Sequence, residues 1–117
     1  MFDVSGRFIR VSRGDTGLIT FEAEGIDLTE NDRAVFTVKN LSGDVMMEKV
    51  IAPERSRVTV PFVHEDTEAL KPGRYEWDIR YVIDAVEDGD GRVTDGREVL
   101  TPFPPGEFKV MRTVGEI

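Results

Sequence analysis

The chain has 117 residues, of which 39% are hydrophobic and 32% charged, and its formal net charge is −8. This length suits one domain, residues 1–117, which buries about two thirds of its extended surface in a single core. The acidic balance disfavours binding to nucleic acid phosphates, and the lack of cysteine excludes disulfides, thiol nucleophiles and zinc-thiolate sites.

Neither a membrane span nor a leader is predicted. The sequence contains no apolar run of about 18 residues, so we expect no membrane insertion. The first residues lack a basic region followed by a long apolar stretch, which predicts that the chain has no signal peptide and is made in the cytoplasm.

The first half of the chain contains three segments that alternate between apolar and polar residues, as half-buried strands do. Strands are predicted over residues 8–11, 18–23 and 34–38. Between the first two, Arg13-Gly14-Asp15 is typical of a turn, with an integrin ligand as the alternative interpretation. The predicted buried residues of the second and third strands are Ile19, Phe21, Ala23, Ala34, Phe36 and Val38.

The segment from Val45 to Ile51 follows a hairpin turn at residues 40–44 and has no clear buried face. Only two of its residues are charged, which is light protection for a strand at a sheet edge, and methionine suits adaptable contact surfaces. Because both faces cannot pack into one core, one face should contact another subunit or another protein. The candidate interaction residues form two alternative pairs, Met46 with Val50 and Met47 with Ile51.

Residues 58–62 also alternate regularly and contain one proline. Pro61 has no N–H to donate, which indicates that one side of this strand lacks a hydrogen-bonded neighbour. Asp66 and Thr67 are then predicted to cap a short helical turn that ends at Leu70.

The stretch from Tyr75 to Ile83 alternates strictly, which predicts a strand with one buried face. Trp77 shares the apolar face with Tyr75 and Ile79, which favours a core tryptophan over an exposed stacking platform for a sugar or a base. The residues before Tyr75 have the layout of a tyrosine corner, in which the hydroxyl binds upstream backbone and fixes the crossing between two sheets.

An acidic loop follows, with two turn signals at residues 88–91 and 95–96, either of which could close a hairpin. Carboxylates of Asp88, Asp90 and Asp95 could hold calcium through oxygen ligands. Their spacing does not fit the EF-hand pattern, and Asp and Gly favour such turns for backbone reasons. A solvated hairpin tip is therefore the favoured interpretation, with calcium as the alternative.

Residues 98–101 and 108–110 complete the pattern, on either side of a proline-rich segment that cannot be a central strand. Turns recur about every ten residues, and no long helix is predicted. These features predict an all-β fold, an antiparallel β-sandwich of seven to eight strands with one short helical turn before the strand that begins at Tyr75.

Signatures of catalysis are not found in the sequence. His64 is the single histidine, and the second histidine of a zinc-protease helix would have to be at Glu68. Phosphate-binding, dinucleotide-binding and nucleophile-elbow glycine patterns do not occur. Carboxylate pairs of a small hydrolase stay open as an alternative, but we expect a protein that is not an enzyme and uses no cofactor.

Several segments together resemble the N-terminal domain of upper baseplate proteins from tailed phages and prophages of Gram-positive bacteria. The most specific part is the run from Glu65-Asp66-Thr67 to Tyr75-Glu76-Trp77-Asp78-Ile79. The other matching segments are Gly14-Asp15-Thr16, Ile19-Thr20-Phe21, Val35-Phe36-Thr37-Val38-Lys39, Glu48-Lys49, Val58-Thr59-Val60, Thr101 and Gly106-Glu107-Phe108-Lys109-Val110.

The resemblance implies an immunoglobulin-like sandwich that anchors receptor-binding machinery to the phage tail and has no catalytic residues. The expected partners are other tail or baseplate proteins, or a second copy of the chain, within the virion. A cell-surface adhesion or carbohydrate-binding sandwich is the alternative function.

Overall fold

The computed structural model describes residues 1–115, which contain eleven strands and one short helix. The elements are β1 (Phe2–Ser5), β2 (Phe8–Ser12), β3 (Gly17–Glu22), β4 (Arg33–Lys39), β5 (Val45–Ile51), β6 (Arg57–Phe62), α1 (His64–Glu68), β7 (Gly73–Ile83), β8 (Val86–Glu87), β9 (Val93–Asp95), β10 (Glu98–Leu100) and β11 (Gly106–Met111). Within this part of the chain, no helix is long and apolar enough to cross a membrane.

Two sheets pack face to face as the predicted all-β sandwich. The larger sheet has the order β1-β2-β11-β7-β4-β5, with β10 also paired to β7, and the smaller sheet consists of β3 and β6. Aromatic side chains join the layers: the ring centroids of Phe21 and Trp77 lie 5.4 Å apart, and those of Phe36 and Phe62 lie 5.5 Å apart.

Strand β7 organises the larger sheet, because three strands pair with it. One edge pairs with β4 along seven residues, and the other edge pairs first with β11 and then with β10. Tyr75, Trp77, Ile79 and Tyr81 are all buried on its core face, which confirms the predicted alternation, and Val82 is the one residue between them and Ile83 that is buried on the other face.

Seven strands have at least five residues, β2 to β7 and β11, which agrees with the seven to eight strands predicted. Counted in chain order, the third, sixth and seventh of these strands (β4, β7 and β11) are neighbours in the larger sheet. The second and fifth (β3 and β6) pair with each other in the smaller sheet. This is the connectivity of immunoglobulin-like sandwiches. The remaining strands have four residues or fewer: β1 was not predicted, and β8 and β9 form one of the two hairpins that the sequence left open.

Two details of the prediction are corrected by the structure. The sheet is mixed rather than purely antiparallel, because β2 and β11 run parallel. The helix begins at His64, with Val63 as its N-cap, so Asp66 is not the cap itself. Asp66 instead is the third residue of the helix, and its carboxylate accepts a hydrogen bond from the Val63 N–H at 2.8 Å, which is one half of a capping box.

Candidate interaction surface

The β5 edge is defined as strand β5 with its free side, because β5 pairs with β4 alone among the strands of residues 1–115 and ends the sheet. The alternation that was unclear in the sequence is resolved by burial. Met47 is 8% exposed and faces the core, whereas Met46 is 42% exposed and faces outward. Val50 lies on the same side as Met46 and is half-buried. The outer pair is therefore Met46 and Val50.

The turn before β5 is fixed by local hydrogen bonds. The Asn40 side-chain oxygen accepts the N–H groups of Ser42 and Asp44 at 3.0 and 2.9 Å, and Gly43 has a φ of 90°, which a residue with a side chain rarely adopts. Val45, directly after the turn, is 54% exposed. The pairing with β4 shifts by one residue here, from Lys39 opposite Val45 to Val38 opposite Met47, so Val45 and Met46 are both exposed where the β5 edge begins.

Both charges of β5 are paired within the chain. Glu48 lies 3.1 Å from Arg92 Nε, and Lys49 Nζ lies 2.5 Å from Asp66. Strand edges are commonly protected by charged side chains, above all lysine. Because these two are compensated, the edge carries little charge that would repel a neighbouring strand.

The acidic loop forms the β8–β9 hairpin, and residues 88–91 close it. The Asp88 carboxylate accepts the N–H groups of Asp90 and Arg92 at 2.9 and 3.0 Å, and Asp95 accepts the N–H of Gly96 at 2.8 Å. These bonds are the backbone role expected of Asp in a tight turn. In residues 1–115, no three Asp, Glu or His side chains are grouped so that they could hold a metal ion. Calcium binding by Asp88, Asp90 and Asp95 stays a sequence-based candidate.

Two other candidates from the sequence, the Arg-Gly-Asp turn and His64, make polar contacts within the fold. In the Arg-Gly-Asp turn, Arg13 Nε donates to the carbonyl oxygen of Glu68 at 2.9 Å, and Asp15 pairs with the N-terminal amine. His64 Nδ1 bonds the Gly14 carbonyl at 2.7 Å, so this nitrogen carries the hydrogen. These contacts hold the turn against α1.

Asp32 is a feature that sequence reasoning missed, and within residues 1–115 it is the one charged side chain that is buried, at 2% exposure. Its carboxylate accepts the N–H of Thr29 at 2.7 Å and the N–H of Asp84 at 2.9 Å. Burial alone would raise the pKa of Asp32, but these bonds, with the Thr29 hydroxyl and the charge of Arg97, hold it below 3.8. The Thr-x-x-Asp spacing was the available signal.

This buried carboxylate joins the β3–β4 connection to the end of β7. Among the described residues, its hydrogen-bond partners are two backbone N–H groups and the Thr29 hydroxyl. The Asp84 side chain beside it pairs with Arg97 at 2.7 Å. The arrangement stabilises the fold.

Comparison with known proteins gives no family model and no curated protein that matches this chain. What the chain does is therefore proposed below from its own surface and from the resemblance in its sequence.

Proposed function

We propose that the chain is a non-enzymatic structural module of a phage or prophage tail or baseplate, which binds other virion proteins through the β5 edge. The observation that carries this proposal is an apolar edge strand whose two charges are both compensated within the chain. The resemblance of the sequence to baseplate domains supplies the biological setting.

The edge suits a protein partner for two physical reasons. The free side of β5 presents backbone N–H and C=O groups that another strand can pair with. Met46 and Val50 add apolar side chains on either side of Glu48, whose charge is paired with Arg92, and methionine adapts to differently shaped partners. Backbone pairing would supply affinity, while the two side chains would select the partner.

The experiment is a double charge insertion, Met46→Lys with Val50→Lys. Tail proteins encoded beside this chain should be retained by the wild type in co-expression and lost by the double variant, whose melting curve stays cooperative. Light scattering reports self-association in the same samples. The matched control is Leu18→Lys with Val63→Lys, since these residues are 67% and 50% exposed on the other sheet and its flank.

Two results would contradict the proposal. The first is a wild-type chain that stays monomeric at every concentration and retains none of the tail proteins. The second is equal loss of retention in the control variant, because insertion of charge at any apolar surface would then suffice. Binding in a glycan array would favour the alternative, a carbohydrate-binding module.

A further inference from the structure

Three cations lie side by side on the outer face of the larger sheet. Lys109 of β11 is directly opposite Arg10 of β2 on one side and Arg74 of β7 on the other. All three point away from the core: buried residues lie on both sides of Arg10 and of Lys109 in their strands, and the residue after Arg74 is buried. We call these three residues the cationic row.

The cationic row is electrostatically unfavourable in the isolated chain. Like charges directly opposite each other in neighbouring strands destabilise a sheet. Arg10 is compensated by Asp3 at 3.0 Å, and Arg74 lies 3.6 Å from Glu107. For Lys109, no carboxylate of residues 1–115 lies within ion-pairing distance. An unpaired cation between two others therefore sits on a chain whose net charge is −8.

A shallow cavity of about 340 Å³ adjoins the row and shares Arg74 with it. Its apolar wall includes Phe8 and Leu41, which are 55% and 71% exposed, and Pro105. Glu76 and Glu107 also line the cavity, so its wall is mixed, with the apolar side chains grouped on one part of it.

We propose that the cationic row and this cavity bind an extended acidic segment of a partner protein. Neighbouring strands are about 4.8 Å apart, so the row is roughly 10 Å long. Side chains on one face of an extended segment recur every 6.6–6.8 Å, or about two carboxylates over that length. These carboxylates pair with Lys109 and its neighbours, while the next side chain on the same face of the segment is apolar and enters the cavity against Phe8 and Leu41.

A protein segment fits this surface better than a nucleic acid does. In the next row of the sheet, Glu107 and Glu76 are directly opposite each other. A continuous phosphate backbone would meet these two carboxylates, whereas a peptide can place uncharged side chains against them. The surface is separate from the β5 edge, so this inference goes beyond the proposed function, and each can fail without the other.

The experiment uses a fluorescein-labelled peptide that contains Asp-Ser-Asp-Ser-Leu, in which the two Asp and the Leu share one face of the extended chain, and it measures anisotropy at low and high salt. Binding should occur at low salt, weaken as salt screens the charges, and weaken by roughly tenfold in Lys109→Glu. Arg80→Glu is the matched control, since Arg80 is an exposed arginine of β7 outside the row. It should change the affinity by less than about twofold.

A second variant separates binding from folding. Lys109→Gln removes the charge without reversing it and should also weaken binding, while its melting temperature stays equal to or above that of the wild type because repulsion in the row is relieved. A peptide with Asn in place of Asp should not bind.

The inference is overturned if the acidic peptide does not bind at low salt, or if Lys109→Glu and Arg80→Glu behave alike. It is also overturned if oligothymidylate binds the wild type at least as tightly as the peptide and is lost in Lys109→Glu, which would identify a nucleic acid site.

Discussion

Tyr75 and Tyr81 lie on the same face of β7, yet their hydroxyl groups are in opposite situations. The Tyr75 hydroxyl donates to the carbonyl oxygen of Lys71 at 2.6 Å, as the tyrosine corner requires. The Tyr81 hydroxyl is fully buried and has no hydrogen-bond partner among the described residues. Removing the two oxygens should therefore have opposite effects on stability.

The Tyr75→Phe variant should lose about 1–2 kcal/mol of unfolding free energy. The substitution removes one buried hydrogen bond and leaves the Lys71 carbonyl without its partner. Denaturant unfolding measures this as a lower midpoint with an unchanged slope. A midpoint equal to that of the wild type would contradict the tyrosine corner.

The Tyr81→Phe variant should be as stable as the wild type or more stable, by up to about 1 kcal/mol. It deletes an oxygen whose burial is uncompensated and keeps the ring that fills the core. A clear loss of stability would mean that the hydroxyl has a partner. Tyr75→Phe is the matched control, since it removes the same atom from the same strand.

The unfolding free energies of Tyr81→Phe and the wild type should also depend differently on pH above pH 10. Burial raises the pKa of Tyr81 above 10.0. Above pH 10 the unfolded chain ionises this phenol while the folded chain does not, so stability falls as pH rises toward the folded value. Tyr81→Phe removes this loss, and its unfolding free energy should fall less steeply above pH 10 than that of the wild type.

Much of the sandwich could be predicted because its long strands have one buried face. The strict alternation of β7 and the turn at residues 40–44 are local signals, and both are present in the structure. Strand β1 was missed although its four residues alternate between apolar and polar, because the run is short and none of the four is fully buried. Its Phe2 side chain packs on Gly17 and Phe62, which are distant in sequence.

The surfaces were less predictable, since they depend on register between distant segments. Residue exposure was needed to choose between Met46 and Met47 in β5. Arg10 and Lys109 come from opposite ends of the chain, and the parallel pairing of β2 with β11 makes them neighbours. No local pattern encodes that pairing, because sheet contacts of this kind are decided by the packed fold.

The Asp32→Ala variant should lose roughly 3 kcal/mol, because two backbone amides would lose a charged acceptor. Asp27→Ala is a suitable control, since Asp27 is an exposed acid in the same connection. Thermal or denaturant unfolding at neutral pH measures the difference between the two variants. Equal stability of both would show that the carboxylate does not hold the connection to β7.

The same residue should contribute to acid sensitivity. The folded pKa of Asp32 is lowered from 3.8, so its contribution is fully present above that value and is lost as pH falls through the folded pKa. The stability difference between wild type and Asp32→Ala should therefore be constant near neutral pH and shrink below about pH 4. A difference that persists unchanged at lower pH would indicate that the carboxylate's charge is not involved.

Trp77 should have a blue-shifted emission that acrylamide quenches poorly, because it is 4% exposed and stacked near Phe36. It is the one tryptophan of the chain, so emission reports this site alone. Unfolding in denaturant should shift the emission to the red and raise the quenching constant. A red and freely quenched emission in the native protein would contradict the strand register.

Gly106 should tolerate no side chain, because it fixes the position of Trp77 against the β1–β2 turn. The Trp77 Nε1–H donates to the carbonyl oxygen of Arg7 at 2.9 Å. A Cβ on Gly106 would overlap that oxygen and lie 2.6 Å from Nε1. Gly106→Ala should therefore lower the unfolding free energy by at least about 2 kcal/mol and shift the Trp77 emission, since backbone or indole must move.

Gly89→Ala is the control, because a Cβ there meets nothing within 4 Å, and its unfolding free energy should stay within about 0.5 kcal/mol of the wild type. Equal stability of the two variants, with unchanged emission, would show that β11 does not approach Trp77 and Arg7 as closely as described.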